Sequence, residues 1–175
     1  MRSKCGTVGP GSYTRRMMTS DIRPARPEDA GAVAEIWYQG WCDGHLGNVP
    51  EDLVASRTKE SFGTRAAERV DDTVVATVDG AVAGFVMVVG DEVEQVYVAS
   101  GHRGTAVAAG LLTEAERRVA VNGHQQAWLA VVPGNARARR FYERRGWTDQ
   151  GLFDHQAPSD SGPISVPAHR YVKRL

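Results

Sequence analysis

Between Thr73 and Val98 the chain carries three β-prone runs separated by two tight-turn dipeptides, then passes directly into a glycine-bearing loop and a long helical stretch. Thr73-Val74-Val75-Ala76-Thr77-Val78 ends at Asp79-Gly80, a pair suited to the positive φ values of a two-residue hairpin. Ala81 to Val89 returns as the partner run and stops at Gly90-Asp91; Val93 to Val98 is the third. Turns this short join antiparallel neighbours, so the block is read as an antiparallel meander.

The flanking segments differ in period. Upstream, Asp21 to Ala25 predicts a short strand, and Arg26-Pro27-Glu28-Asp29 opens a helix with acidic residues where the helix dipole favours them. Ala30, Val33, Ala34, Ile36, Trp37 and Trp41 fall on one face of that helix. Gly40, Gly44, Gly47 and Pro50 mark a loop, and a second helix is predicted from Pro50 to about Arg69, with a weak stripe of Leu53, Val54 and Phe62. Downstream, a helix is predicted from Ala106 to Asn122 and stops at Gly123; Ala127 to Val132 reads as a buried strand. Pro133-Gly134-Asn135 turns into a helix over 136–145, Gly146 ends it, and strands begin at Trp147 and Ser165 around a 157–163 loop. Hairpins early and helix alternation late predict one α/β (α+β) mixed sheet with helices on both faces, over residues 20–175.

Composition removes several functions. Lys plus Arg equals Asp plus Glu, 21 each, which counts against a chain built to hold nucleic acid. No run approaches the roughly 18 apolar residues of a membrane span. Cys5 and Cys42 form no disulfide framework, so a cytoplasmic location is expected. Residues 1–19 are read as a flexible tail without a signal-length apolar stretch, and Met17 or Met18 could be the biological start. His45, His102, His124, His155 and His169 show no metal-ligand spacing, so no catalytic metal is expected.

Two segments carry chemistry. From Val93 to Leu112 the pattern is strand, glycine loop, helix. Such a turn presents unpaired N–H groups and the positive end of a helix dipole, which together hold phosphate; Arg103 adds charge and Gly104 permits close approach. It could equally be a routine connection. The loop lacks the G-x-x-x-x-G-K-[ST] pattern of phosphate-loop ATPases and the G-x-G-x-x-G of dinucleotide folds. In the second segment Asn135, Ala138 and Tyr142 follow i, i+3, i+7 along one helical face. Tyr142 there could give a proton to a leaving group, or Phe141, Tyr142 and Trp147 could simply anchor the core.

Together the segments resemble the GNAT N-acetyltransferase superfamily. Gln95 to Leu112 is similar to its motif A, with core [Q/R]-x-x-G-x-[G/A], and Asn135 to Trp147 to its motif B, N-x-x-A-x-x-F-Y-x-x-x-G-[F/W]. Ile22-Arg23-Pro24-Ala25 with Glu28-Asp29 resembles the family's opening, so the likeness covers about residues 20–175. It implies a mixed, mostly antiparallel sheet of about seven strands flanked by about four helices. It implies acetyl-CoA as cofactor, a small-molecule or peptide amine as acceptor, and a homodimer. The implied contacts are backbone groups of Val96, Tyr97 and Val98 for the pantetheine arm, and amides of Arg103, Gly104, Thr105, Ala106, Val107 and Ala108 for the pyrophosphate. Asn135, with Ala138 beside it, would bond the arm, and Tyr142 would protonate the departing thiolate. Ala106 stands where the family usually has glycine. If the backbone there needs positive φ, alanine costs about 1 kcal/mol. That motivates the alternative of a catalytically weak or inactive CoA-binding or regulatory domain.

The transfer also needs a base, because an amine with a pKa near ~10 is mostly protonated at neutral pH. Glu94 is the first candidate and Glu92 the second; either could instead be a solvent-facing strand carboxylate. Trp37, Tyr38, Trp41 and Asp43, with His45 nearby, are candidates for an acceptor wall, or else core and turn residues. Arg137, Arg139, Arg140, Arg144 and Arg145 could reach a CoA phosphate or form a solvated face. A nucleic-acid role for that helix is disfavoured by the zero net charge.

Overall fold

The computed structural model describes residues 20–175, so the expected tail, Cys5 and the alternative starts lie outside the described residues. Seven strands form one sheet: β1 (Ser20–Pro24), β2 (Thr73–Val78), β3 (Ala81–Val89), β4 (Glu92–Val98), β5 (Gln126–Val131), β6 (Thr148–Ala157) and β7 (Ile164–Arg174), in the order β1-β2-β3-β4-β5-β7-β6. Every neighbouring pair is antiparallel except β4 with β5. The meander is present, and its first turn is Asp79-Gly80 with φ of 50° and 85°.

Five helices pack on the sheet, one more than the sequence implies: α1 (Ala30–His45), α2 (Glu51–Ser56), α3 (Lys59–Glu68), α4 (Val107–Val121) and α5 (Ala136–Arg144). The difference lies in the single helix expected over Pro50–Arg69. The chain breaks at Arg57-Thr58, where the Thr58 hydroxyl accepts from Ser61 N–H at 3.2 Å and caps a fresh start as α3. Ahead of α1, Pro27–Asp29 forms a 3-10 turn. Asp29 pins it, accepting from the Arg23 guanidinium at 2.7 and 3.0 Å and from the Arg26 N–H at 2.8 Å.

The sheet divides the core in two. On one face α4 and α5 cover β2–β5 and β7, with Leu111, Leu112, Ala115 and Val119 facing Val86, Val93 and Leu129. The axis of α4 comes close at Gly84, where a Cβ would stand 2.8 Å from the Tyr97 carbonyl oxygen and 3.0 Å from Leu111 Cδ1. On the other face α1–α3 bring Trp37, Trp41, Leu53 and Phe62 against Val75, Phe85 and Met87. Among the described residues, no helix is long and apolar enough to cross a membrane.

Candidate active site

One interruption in the sheet creates the site. β4 and β5 share a single register pair, Glu92 with Trp128, supported by Trp128 N–H donating to the Asp91 carbonyl at 3.0 Å. Beyond that point the strands part, and a cavity of about 420 Å³ fills the gap. It runs between the two helical layers: Ala138 and Tyr142 of α5 line one side, Trp37, Trp41, Arg57, Arg65 and Arg69 line the other, and β4 from Glu92 to Tyr97 forms an edge. Of the expected β4 contacts, Val96 and Tyr97 line the cavity, while Val98 packs toward α4. A second cavity, about 390 Å³, is bordered by Arg103, Arg137 and Asp43 and adjoins the first at Asn135.

β4 itself is irregular. Val93 faces Val88 and Gln95 faces Met87, which leaves Glu94 as an extra residue in a β-bulge. Glu94 reaches the α3 side, where its carboxylate lies 2.8 Å from Arg69 Nη2; Arg69 Nε also donates to Asp72 at 2.7 Å. The Glu92 carboxylate makes no hydrogen bond to a described residue. Burial chiefly, and then the charges of Glu94 and Asp91, push its carboxyl up to about 7, while Arg170 and Arg69 pull the other way.

The α4 entry holds Gly104 at φ 78° with nothing within 4 Å of a would-be Cβ. Ala106, however, has φ −71° and ψ −8°, an ordinary right-handed conformation. The strain considered for alanine at this position therefore does not arise. The first-turn amides of Ala108 and Ala109 have no intrahelical acceptor, whereas Val107 N–H meets the Thr105 hydroxyl at 3.4 Å. Arg103 Nη2 donates to Asp43 at 2.6 Å. Asp43, near the C-terminal end of α1, thus pairs with the loop that opens α4 and borders the second cavity rather than an acceptor wall.

Asn135 is the N-cap of α5: its Oδ1 accepts from Ala138 N–H at 3.1 Å, so only its side-chain NH₂ remains to face the cavities. The i, i+3 spacing of Asn135 and Ala138 reflects this cap. Tyr142 is 8% exposed and packs against Phe141, Trp147 and Tyr171, yet it borders the cavity and its hydroxyl makes no hydrogen bond to a described residue. Burial pushes its phenol above the usual range. It is therefore both a core anchor and a protonated donor at neutral pH.

Trp37 and Trp41 are buried and line the cavity; Tyr38 instead packs on Phe62 at 5.8 Å between ring centroids. His45 stacks on Trp41 at 5.1 Å. Of the α5 arginines, Arg139 pairs with Asp149 and donates to the Tyr171 hydroxyl, Arg137 borders the second cavity, and Arg140 and Arg144 are exposed. Sequence reasoning missed Arg57, Arg65, Arg69 and His155 in the cavity wall. The i, i+4 spacing of Arg65 and Arg69 on a helix was the available signal.

Comparison with known proteins agrees with this arrangement. The sequence profile of the acetyltransferase (GNAT) family matches residues 34–147. An uncharacterized N-acetyltransferase of Mycobacterium tuberculosis (strain ATCC 25618 / H37Rv) is 31% identical over 112 residues, 59% of this chain and 72% of the relative. Among solved structures, a GCN5-related N-acetyltransferase from Rhodopseudomonas palustris shares the fold with a TM-score of 0.67 at 22% identity, covering 90% of this chain and 96% of that one. The PaiA N-acetyltransferase of Thermoplasma acidophilum, solved in complex with coenzyme A, superposes with a TM-score of 0.64 at 18% identity over 90% and 100% of the two chains. The match extends across both segments that carry the chemistry, and the chain belongs to the acetyltransferase (GNAT) family.

Proposed function

We propose that this chain transfers an acetyl group from acetyl-CoA to a primary amine by direct attack in a ternary complex. The observation that carries the proposal is the cavity between β4 and β5, with an unpartnered Tyr142 hydroxyl on one side of the sheet and the Glu92 and Glu94 carboxylates at β4. The residues present fit the cofactor. The parted strands leave room for the pantetheine arm beside Val96 and Tyr97, and the Asn135 NH₂ is available to it. The free amides at the start of α4 and the unstrained backbone at Ala106 suit a pyrophosphate. When bound, acetyl-CoA supplies the thioester carbonyl that is attacked and the thiolate that leaves.

The protein's part is proton handling and orientation. Glu92 takes the proton from the amine: its carboxyl is already tuned near neutrality, whereas Glu94 is held by Arg69. This reverses the order of preference drawn from sequence. Glu94 and Arg69 fix the charge beside it. The Tyr142 hydroxyl donates to the leaving sulfur, and a β4 backbone N–H polarises the carbonyl. Residues 20–175 act as one catalytic domain in the cytoplasm, where thiols stay reduced. The test is a thiol-release assay with acetyl-CoA over a broad panel of amines, alongside a melting shift with the cofactor alone. A melting shift without turnover on any amine would favour the CoA-binding, non-catalytic alternative.

A further inference from the structure

The chemistry above asks for one carboxylate and one tyrosine; the cavity also contains cationic groups that it does not use. Three arginines from the α2–α3 layer line it. Arg69 is satisfied by Asp72 and Glu94. Arg57 and Arg65 are not: neither has a carboxylate within ion-pair distance among the described residues. Arg57 is 9% exposed, and its guanidinium donates only to neutral oxygens, the Pro158 carbonyl at 2.6 Å and the Ser56 hydroxyl at 3.2 Å. The Arg65 guanidinium makes no hydrogen bond to a described residue and lies over the Trp37 ring, 5.0 Å from its centroid. Asp160, an exposed residue of the loop before β7, acts on both through its charge, and Glu94, already paired with Arg69, acts on Arg65.

A guanidinium removed from water without an anion is unfavourable, and two facing each other more so. Burial chiefly lowers the proton affinity of both, Arg65 lowers that of Arg57 further and Arg69 that of Arg65; Arg57 falls to about 10. Such an arrangement persists where a ligand anion completes it.

We propose that the acceptor amine carries a carboxylate, which Arg57 and Arg65 bind at the α2–α3 end of the cavity. The proposal rests on the acetyl-transfer reading and names its substrate class. The cavity is then dipolar in the sense an amino acid requires. Glu92 and Glu94 at β4 face the ammonium and Glu92 takes its proton, Trp37, Trp41 and Leu53 flank the carbon chain, and the arginines hold the carboxylate by the bidentate geometry that guanidinium provides. The same 420 Å³ must admit the end of the cofactor arm, so the acceptor is small, on the scale of a free amino acid. A polyamine or an aminoglycoside would set further cations against Arg57 and Arg65.

The test uses matched trios: α- to ω-amino acids, their carboxamides and the corresponding amines without either group. Turnover is followed by thiol release, and binding to the CoA-saturated protein by calorimetry. At least one carboxylate member should exceed its amide about tenfold or more in kcat/KM, chiefly through KM. In Arg65→Gln that preference should collapse about tenfold. Arg57→Lys, which keeps the charge but loses the fork, should weaken the preference without abolishing it; a CoA-induced melting shift verifies that each variant is folded. Equal kcat/KM for amides and carboxylates, a preference for aminoalkylphosphonates, or an unchanged preference in Arg65→Gln would overturn the proposal. Turnover without carboxylate preference leaves acetyl transfer standing. Carboxylate-selective binding without turnover retains this site and removes the transfer reading.

Discussion

Replacing Glu92 by glutamine should make the protein more stable and less active at the same pH. The carboxyl rises from 4.5 to about 7 on folding. At about 1.4 kcal/mol per pH unit, that difference corresponds to at most roughly 3–4 kcal/mol of penalty for folding with Glu92 ionised. Glu92 is only partly buried, so water screens part of it, and a realistic figure is about 1–2 kcal/mol. The sign follows from proton counting. Below pH 4.5 the group is protonated in both states and contributes nothing. Between 4.5 and 7 the unfolded chain releases the proton first, so stability falls as pH rises. Above 7 the penalty is fully present. Glutamine imitates the neutral form at every pH. In thermal melts at pH 8, Glu92→Gln should therefore melt about 2–6 °C higher than the parent, with the gap closing by pH 4. The same variant should lose on the order of a hundredfold or more in kcat/KM, together with the limb that rises through pH 7 in the parent. A variant that melts no higher at pH 8 would show that Glu92 carries no folding penalty, and one that retains the limb near 7 would show that it is not the base.

Three further outcomes follow from other parts of the site and core. Tyr142→Phe removes a hydroxyl without a hydrogen-bonding partner, so chemical denaturation should place its stability within about 0.5 kcal/mol of the parent, while kcat falls on the order of a hundredfold. Gly104→Ala has open space for the methyl but a φ of 78°, so urea unfolding should report a loss of about 1–2 kcal/mol from backbone strain alone. Leu111 is 0% exposed beneath Gly84, and Leu111→Ala should cost about 2–5 kcal/mol in the same assay through the cavity it leaves.

The regular parts of the fold were readable because local chemistry and tertiary structure agree there. Asp79-Gly80 supplies the positive φ its hairpin needs, Asn122-Gly123 closes α4, and Gly146 ends α5 with φ 81°. The two chemical segments stood out for a related reason. Cofactor recognition of the kind proposed here is largely by backbone, and backbone sites leave traces as glycines and caps. The irregular parts were not readable. The break at Arg57-Thr58 is one hydroxyl capping one amide inside a stretch whose apolar stripe was already weak. Asp43 looked like a partner for a cationic acceptor because it is near Trp37 and Trp41 in sequence, but it lies past them toward the end of α1, where Arg103 is in reach. The arginines of the α2–α3 layer offered only the i, i+4 spacing of Arg65 and Arg69, which on an isolated helix resembles any solvated face.

The bulge at Glu94 shows why the acceptor side in particular escapes pattern reading. A strand that alternated strictly would place 92, 94, 96 and 98 on one face. Val96 and Val98 pack toward α4, so Glu94 would be turned into that apolar layer, away from Arg69. The extra residue changes the parity between Val93 and Val96, which both stay on the α4 side, and frees Glu94 to reach α3. The same irregularity lies just past the one pair joining β4 to β5, at the point where the sheet opens. One inserted residue thus accommodates two demands that a regular strand cannot meet together: an apolar seat for α4 and a pair of carboxylates beside the cavity. Deleting Glu94 would remove more than a charge. It would restore alternation with Val93, Val96 and Val98 still on the α4 side and Tyr97 still opposite, so the shortened strand should fold, as a thermal melt would report, but would lose the second carboxylate beside the cavity and leave Arg69 with Asp72; Glu94→Gln, which keeps the bulge, should fold as well.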